Sequence, residues 1–464
     1  MSWAIFLLAY PHYDTYLKTS VEKFVRINTV SDADAGSKNW QQLNQVYNEP
    51  AKLAQMIDAI TQDVLTTETV AHKKVLLKPN WVRHSLRPND ECCLRTHDAF
   101  VLATLQVVLE KNPASVTIGD APVQSCNWDR AITEQFLAAV QQLSDKYAIP
   151  VMVQDFRRVT FDPKLNNPNL ERLPLSDFVI FNLGKQSFLE EVSYQKTNPF
   201  RVTYYNPDRL VESHGPGVHK YCITKNLFDA DLVISLPKVK THQKAGLTAA
   251  LKNLVGVNGD KDYLPHHRVG GTGFKGDCYP GGNYLRYWAE LCRDKANRRQ
   301  GKKSYWYWFK FSSLLWKLSL PGKEHHLGAG WHGNDTTWRM VFDLNKIAVY
   351  GRPDGSIAGE PQRVLYSLCD GIVGGQGDGP LHPDPLALGI ISFTNHAAFN
   401  DVCMGKLMGF DVNKIALLKT AAKMAKDDGA QLYINGQLTN QDALASYAVE
   451  TMPPPGWQNY LKAK

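Results

Sequence analysis

Seven short apolar runs recur along this chain, each ending at or leading into a polar residue, and that recurrence restricts the fold more than any single motif does. Val75–Leu77 runs into Lys78-Pro79-Asn80, Ser115–Ile118 into Gly119-Asp120, Val151–Val153 into Gln154-Asp155 and Phe178–Phe181 into Asn182. Leu232–Leu236 leads to Pro237-Lys238, Val364–Leu368 to Cys369-Asp370 and Ile390–Phe393 to Thr394-Asn395. Strands that are apolar on both sides and separated by helical stretches belong in a mostly parallel sheet with helices on both faces, so the expected class is α/β. In such sheets ligands bind outside the carboxyl ends of the strands, which would bring Lys78, Asp120, Asp155, Lys238, Asp370 and Asn395 toward one crevice. Turn chemistry offers a plainer reading, because Asp and Asn also favour the places where strands stop.

The helix after the first run is expected to start near Thr96 and to stop at Asn112-Pro113, closing a βαβ unit that joins Lys78 to Asp120. A chain of 464 residues has room for roughly two to four domains, or for one large α/β domain with insertions. We divide it into an N-terminal extension over 1–70, an α/β core with a Lys/His motif over 71–297, a basic aromatic insertion over 298–331, and the remainder of the core with a C-terminal segment over 332–464. The extension contains an amphipathic helical pattern from Gln41 to Val64. In the insertion, Arg298, Arg299, Lys302 and Lys303 precede Tyr305–Phe309, and Lys310 and Lys317 stand among Phe311, Leu314, Leu315, Trp316 and Leu318. Aromatics beside lysines suit a helix lying in lipid headgroups, so 304–318 is a candidate peripheral membrane contact. Packing on its own domain, or an oligomer contact, would use the same pattern.

Lys and Arg number 52 against 45 Asp and Glu, a net charge of +7. This small surplus suits an anionic small molecule or a membrane surface at least as well as nucleic acid, and with no reader motif in the chain no nucleic-acid partner is expected. The 8 cysteines, at 92, 93, 126, 222, 278, 292, 369 and 403, show no CxxC or iron-sulfur spacing. No iron-sulfur cluster is therefore expected, and a reducing, cytoplasmic compartment is the default. The apolar run within Met1–Tyr10 is too short to span a bilayer and makes a poor secretory signal.

The densest chemistry lies between Leu236 and Tyr279, where bases, amides and imidazoles alternate with Gly and small residues that let a backbone approach a ligand. Lys238, Lys240, Lys252 and Arg268 could clamp a phosphate or carboxylate. Lys252 follows Ala249–Leu251 at a helix start, where an apolar wall would lower its pKa and make it a nucleophile. His242, His266 and His267 are candidates for proton transfer or metal binding. A second constellation, Asp370–Pro380, contains Gly371, Gly374, Gly375, Gly377 and Gly379. It reads as a flexible loop whose two carboxylates, Asp370 and Asp378, could hold a metal, or whose amides could cover phosphates. It has neither the GK[ST] ending of a P-loop nor the order of a dinucleotide site.

Lys78-Pro79-Asn80, His97, Ile118–Pro122, Leu236–His242, Lys252-Asn253, Asp370–Gly374 and Asn395 resemble, in order, the pattern of the family called domain of unknown function 362, over about 70 to 411. Many relatives in that family carry a ferredoxin-like cysteine cassette or a twin-arginine export signal; this chain has neither, so neither is carried over. A second resemblance is to the nickel-pincer lactate racemases, in which a His stands ten residues before a Lys that bears a nicotinic-acid-derived cofactor. His242, Gly246 and Lys252 occupy the matching places, and that family's nickel-ligating His would fall near His266 or His267. Lys78–Asn80 replaces that family's Asp-Thr-Arg-Pro substrate motif, a departure that sets the lactate chemistry apart.

These readings give an expected α/β enzyme, isomerase- or lyase-like, acting on an anionic small molecule. Lys252, His242, His267 and Asp120 are the candidate catalytic residues; Lys78, Asn80, Lys238, Lys240, Asn253, Arg268 and Asn395 are candidate substrate contacts. His266, Asp370 and Asp378 are candidate ligands of a divalent metal, nickel or magnesium. Two other readings use the same residues: a metal- and phosphate-dependent transferase acting on a sugar or lipid phosphate at the membrane, and a non-catalytic anion- or metal-binding protein.

Overall fold

The computed structural model describes residues 22–30, 39–161, 169–193, 199–319, 328–426 and 428–461; the apolar start of the chain lies outside them. Twelve strands form one mixed sheet. In chain order they are β1 (Phe24–Thr29), β2 (Lys74–Pro79), β3 (Ser115–Asp120), β4 (Val151–Asp155), β5 (Leu232–Leu236), β6 (Lys238–His242), β7 (Gly246–Thr248), β8 (Val364–Asp378), β9 (His382–Leu386), β10 (Ile390–Thr394), β11 (Gln431–Ile434) and β12 (Gln437–Thr439). Across the sheet the order is β12-β11-β1-β10-β8-β5-β2-β3-β4. The stretch from β8 to β4 is parallel throughout, whereas β10 runs antiparallel to both β8 and β1. Beyond Pro237 the chain continues as β6, which pairs with the far half of β8 and turns back as β7.

Alternation along the strands sends side chains into two apolar layers. Val75 and Leu77, with Leu232, Ile234 and Leu236, enter a layer shared with helices α1 (Pro50–Thr61), α2 (Asp98–Leu109) and α3 (Glu134–Tyr147). Leu76 and Val233 enter the opposite layer, with α7 (Thr337–Tyr350), α8 (Ala397–Leu407) and α9 (Ala416–Ala425). Helices on both faces are what uniformly apolar strands require, and the α/β class read from the sequence holds. Three further helices matter below: α4 (Ala250–Asn253), α5 (Tyr284–Asn297) and α6 (Ser304–Leu318). Among the described residues no helix is long and apolar enough to cross a membrane.

Several expectations are corrected in detail. The helical pattern over 41–64 breaks into Trp40–Asn44, a 3-10 turn, and α1, because Pro50 has no N–H to continue a helix and instead occupies the first position of a new one. Residues 24–29, set apart as part of an extension, are a strand inside the main sheet, between β10 and β11. Phe178–Asn182 is a strand but pairs antiparallel with Val218–Thr224 in a separate small sheet. The helix after β2 starts at Asp98, with the His97 ring nitrogen capping Ala99 N. Thr96 instead laces strands together, its hydroxyl accepting from Asn80 N and donating to Leu236 O.

The largest correction concerns Asp370–Pro380, which is no flexible loop. Through Asp378 it is the second half of the fifteen-residue strand β8. Its glycines admit close neighbours: a Cβ on Gly375 would lie 2.7 Å from both Cys93 O and Lys240 Cβ, and one on Gly379 would lie 2.0 Å from Thr241 O. Gly375→Ala is therefore expected to cost roughly 1–3 kcal/mol in urea denaturation. Gly359→Ala, where nothing lies within 4 Å of the added carbon, serves as the control and should leave stability within about 0.5 kcal/mol.

Candidate functional site

Where β2 and β3 end, two charges are buried together. Lys78 Nζ lies 2.7 Å from Asp120 Oδ1 and donates also to Pro79 O and to Asn253 Oδ1. Asp120 accepts in addition from Trp81 N and Ala121 N, so both its oxygens are in use. Burial lowers the pKa of Lys78, and Asp120 opposes that shift. Asn253 completes the joint by donating to Lys78 O and Ser235 Oγ, while its oxygen also accepts from Asn80 Nδ2. Gly256 closes over the pair, and a Cβ there would come within 1.8 Å of Asp120 Oδ1 and 2.5 Å of Lys78 Nζ.

The turn that carries Lys252 is held from the opposite layer. The buried Asp401 carboxylate on α8 accepts from Ala250 N and Leu251 N, capping α4, and Asn345 on α7 donates to Leu251 O. These fixed ends hold Lys252, half-buried, with an ammonium that makes no hydrogen bond and no ion pair among the described residues. Burial, with Lys261, Lys244 and Lys78 nearby, holds its pKa down to about 7. Lys244 and Lys261 are each held to about 8, chiefly by burial, and their amines donate to neutral acceptors, Thr203 Oγ1 and Ala121 O.

Two imidazoles complete this basic cluster, and their hydrogen bonds fix opposite tautomers. His242 Nδ1 accepts from the backbone N–H of Lys244 and of Ala245, which places its proton on Nε2. His266 Nδ1 lies 2.6 Å from Leu264 O; a carbonyl only accepts, so Nδ1 carries the proton and Nε2 keeps its lone pair. Burial first, and then Lys252 and Lys244 among their neighbours, push both pKa values well below the ordinary range. One ring thus presents an N–H donor and the other a lone pair, both within electrostatic reach of Lys252.

The remaining candidates lie elsewhere or are already engaged. Lys238 and Asp370 form a second buried pair at 2.8 Å, shared with Tyr47, whose hydroxyl donates to Asp370 at 2.5 Å and whose ring stacks on His97. Lys240 donates to Leu94 O, and burial holds its pKa to about 7. Arg268 lies 3.7 Å from Asp277 and 3.5 Å from Asp335, so two carboxylates of the chain already balance it. Asp378 is half exposed and accepts from Gln243. It stands eight residues beyond Asp370 on one strand, roughly 20 Å or more away at about 3.3 Å per residue. Asp370 and Asp378 therefore cannot share a metal ion. Asn395 ends the antiparallel strand β10, and its amide is spent on Phe24 N and Glu22 O. His267 lies apart from the amines' hydrogen bonds, near Glu290.

Sequence reasoning missed Lys244 and Lys261 as site residues, although both stood inside the basic stretch. It also missed Asp401 and Tyr47, which act across more than a hundred residues of chain and leave no local signal.

A family model described as a domain of unknown function (DUF362) matches residues 183–404. That span holds β5 to β8 and the Lys252 turn, and begins after Lys78 and Asp120. No curated protein matches. A solved crystal structure of a protein from Thermotoga maritima aligns over 84% of this chain and 59% of its own length, at 8% identity and a TM-score of 0.32; this chain thus spans less than two thirds of that protein.

Removing one partner of the Lys78–Asp120 pair strands a buried charge. Asp120→Asn should destabilise the chain by roughly 3–5 kcal/mol in urea denaturation, and Lys78→Met combined with Asp120→Asn should recover part of that loss.

Proposed function

We propose that this chain, whose residues 183–404 carry a domain of unknown function (DUF362), is an enzyme that moves a proton on an anionic small molecule. The observation that carries the reading is the unpaired amine of Lys252, set beside two neutral imidazoles of opposite tautomer. An anionic substrate supplies the negative charge that Lys252 lacks around its ammonium group, where the neighbouring charges are Lys261, Lys244 and Lys78. His266 Nε2 takes a proton from one substrate carbon and, as the imidazolium so formed, returns it to the neighbouring carbon, while His242 Nε2–H donates a hydrogen bond and Lys252 meets the electrophilic group that carries the charge between the two steps. The net result is an isomerisation; where the substrate carries a leaving group, the same first step leads to elimination.

The direct test is proton NMR in deuterated water of a panel of small hydroxy-, amino- and phospho-carboxylates incubated with the chain. Exchange of an α-proton that is lost in Lys252→Met is expected; a panel that exchanges nothing, or exchanges equally with Lys252→Met, removes the proposal.

Lys252 also has a pH signature. Acylation of its amine, followed by peptide mass spectrometry, should rise with pH through about 7, whereas an ordinary lysine responds near about 10.4. Below about 7 the folded state must carry a charged, partly buried amine, a cost that fades as pH rises toward the unfolded value. Lys252→Met should therefore raise stability by roughly 1–2 kcal/mol at mildly acidic pH, with the gain vanishing toward alkaline pH.

A second reading concerns location. Tyr307, Phe311, Leu314 and Leu318 follow one face of α6 at spacings of four, three and four residues and are between 39% and 66% exposed, with Lys310 and Lys317 on the same helix. Trp316, by contrast, is buried against Tyr279 and Arg286. An exposed aromatic stripe with lysines fits docking on an anionic bilayer surface. Sedimentation with phosphatidylserine vesicles should show binding that weakens about tenfold in Tyr307→Ser combined with Phe311→Ser; equal sedimentation of both proteins, or of neither, discards the reading.

A further inference from the structure

We propose that His267, Cys278 and Glu290 form a binding site for one divalent cation of the zinc type, against the middle of α5. One ligand atom from each residue lies within 4.8 Å of the others, and all three side chains are buried. They come from three separate segments: the short strand His267–Arg268, which pairs with Phe200–Arg201, the glycine-rich loop that follows it, and α5.

The site is built into the backbone. Gly270 N donates to Glu290 Oε2 at 2.7 Å while Gly270 O accepts from Cys278 N at 3.0 Å, so one residue positions both ligands. The loop is packed on itself, since a Cβ on Gly271 would lie 2.2 Å from Gly281 O and one on Gly276 would lie 2.1 Å from Gly270 O. No freedom remains there to carry Cys278 elsewhere.

Cys278 and Glu290 hydrogen-bond each other, and His267 is left out of that contact. His267 Nδ1 is buried without a partner, and Nε2 stands 3.8 Å from Glu290 Oε1, beyond hydrogen-bond reach. Burial pushes the Glu290 carboxyl up to about 8, and burial together with Glu290 pushes the Cys278 thiol up as well. Without a cation the three side chains are a neutral acid, a neutral thiol and a neutral imidazole, closed off from water. Binding balances as two protons released, one from Cys278 and one from Glu290, for one divalent ion coordinated by thiolate, carboxylate and imidazole.

That donor set selects the ion. Thiolate with imidazole suits zinc or its cobalt surrogate, whereas magnesium and calcium require oxygen ligands. Bonds of about 2.0–2.3 Å place tetrahedral ligand atoms about 3.3–3.8 Å apart, so the present spread closes with small side-chain rotations. Three protein ligands leave a fourth position open. None of its three ligands belongs to the amine cluster, although the charge of Lys244 reaches Cys278 and His267.

The test titrates cobalt into the full chain after dialysis against chelator, and reads thiolate-to-cobalt absorption in the near ultraviolet. One cobalt per chain with that band, displaced by zinc, is expected. Cys278→Ser should abolish the band, Glu290→Gln should weaken cobalt binding by at least about tenfold, and Cys292→Ser should keep both. A chain without the band, or a band that survives Cys278→Ser, overturns the site. Should Cys278→Ser fail to fold by circular dichroism, zinc-edge X-ray absorption of the unaltered chain decides: one sulfur at about 2.3 Å supports the site, and none or two refutes it.

Discussion

The buried contact between Lys78 and Asp120 sets the geometry on which the rest of the cluster depends. Taking two charges out of water costs several kcal/mol per ion unless every remaining donor and acceptor is used, and here each is used: two backbone amides on the carboxylate, a carbonyl and an amide oxygen on the ammonium. The contact joins the ends of neighbouring parallel strands and draws in Asn253, the residue beside Lys252. The Lys252 turn is thus tied to an ion pair whose own donors and acceptors are already used.

The buried lysines fall into two groups. Lys78 and Lys238 are each matched by a carboxylate, whereas Lys252, Lys244 and Lys261 have only neutral acceptors or none. Matched lysines are explained by packing. Unmatched ones oppose folding, and such arrangements collect where a ligand completes them. That difference, and not residue type, is why Lys252 and not Lys78 or Lys238 carries the proposed chemistry.

Much of the fold could be read in advance because apolar runs and helical periodicity are local. Six of the seven runs enter the main sheet, and the exception, Phe178–Phe181, is apolar in the same way but finds an antiparallel partner at Val218–Thr224. Partner choice is a long-range property that the run itself does not encode. The glycines after Asp370 misled for a related reason: glycine serves both flexible turns and close packing, and only the neighbours, Cys93, Lys240 and Thr241, reveal which. Within the site, Lys252, His242 and His266 could be read because they sit close together in the chain. The tautomers depend on backbone groups, and His267, Cys278 and Glu290 have no spacing that any short motif describes.

Strand β1 lies between β10 and β11, so residues 24–29 pair only with segments centred near 392 and 432. A chain made from its amino end must therefore keep that strand unpaired until the segments near 392 and 432 have emerged. Closure of the sheet is a late, long-range event, slow by the ordinary dependence of rate on the sequence separation of contacts. Until then Val25 and Ile27, fully inside the finished core, are exposed apolar residues on an open strand. The aggregation hazard of β1 is consequently removed not by its neighbours in the chain but by the arrival of β10 and β11 on its two edges.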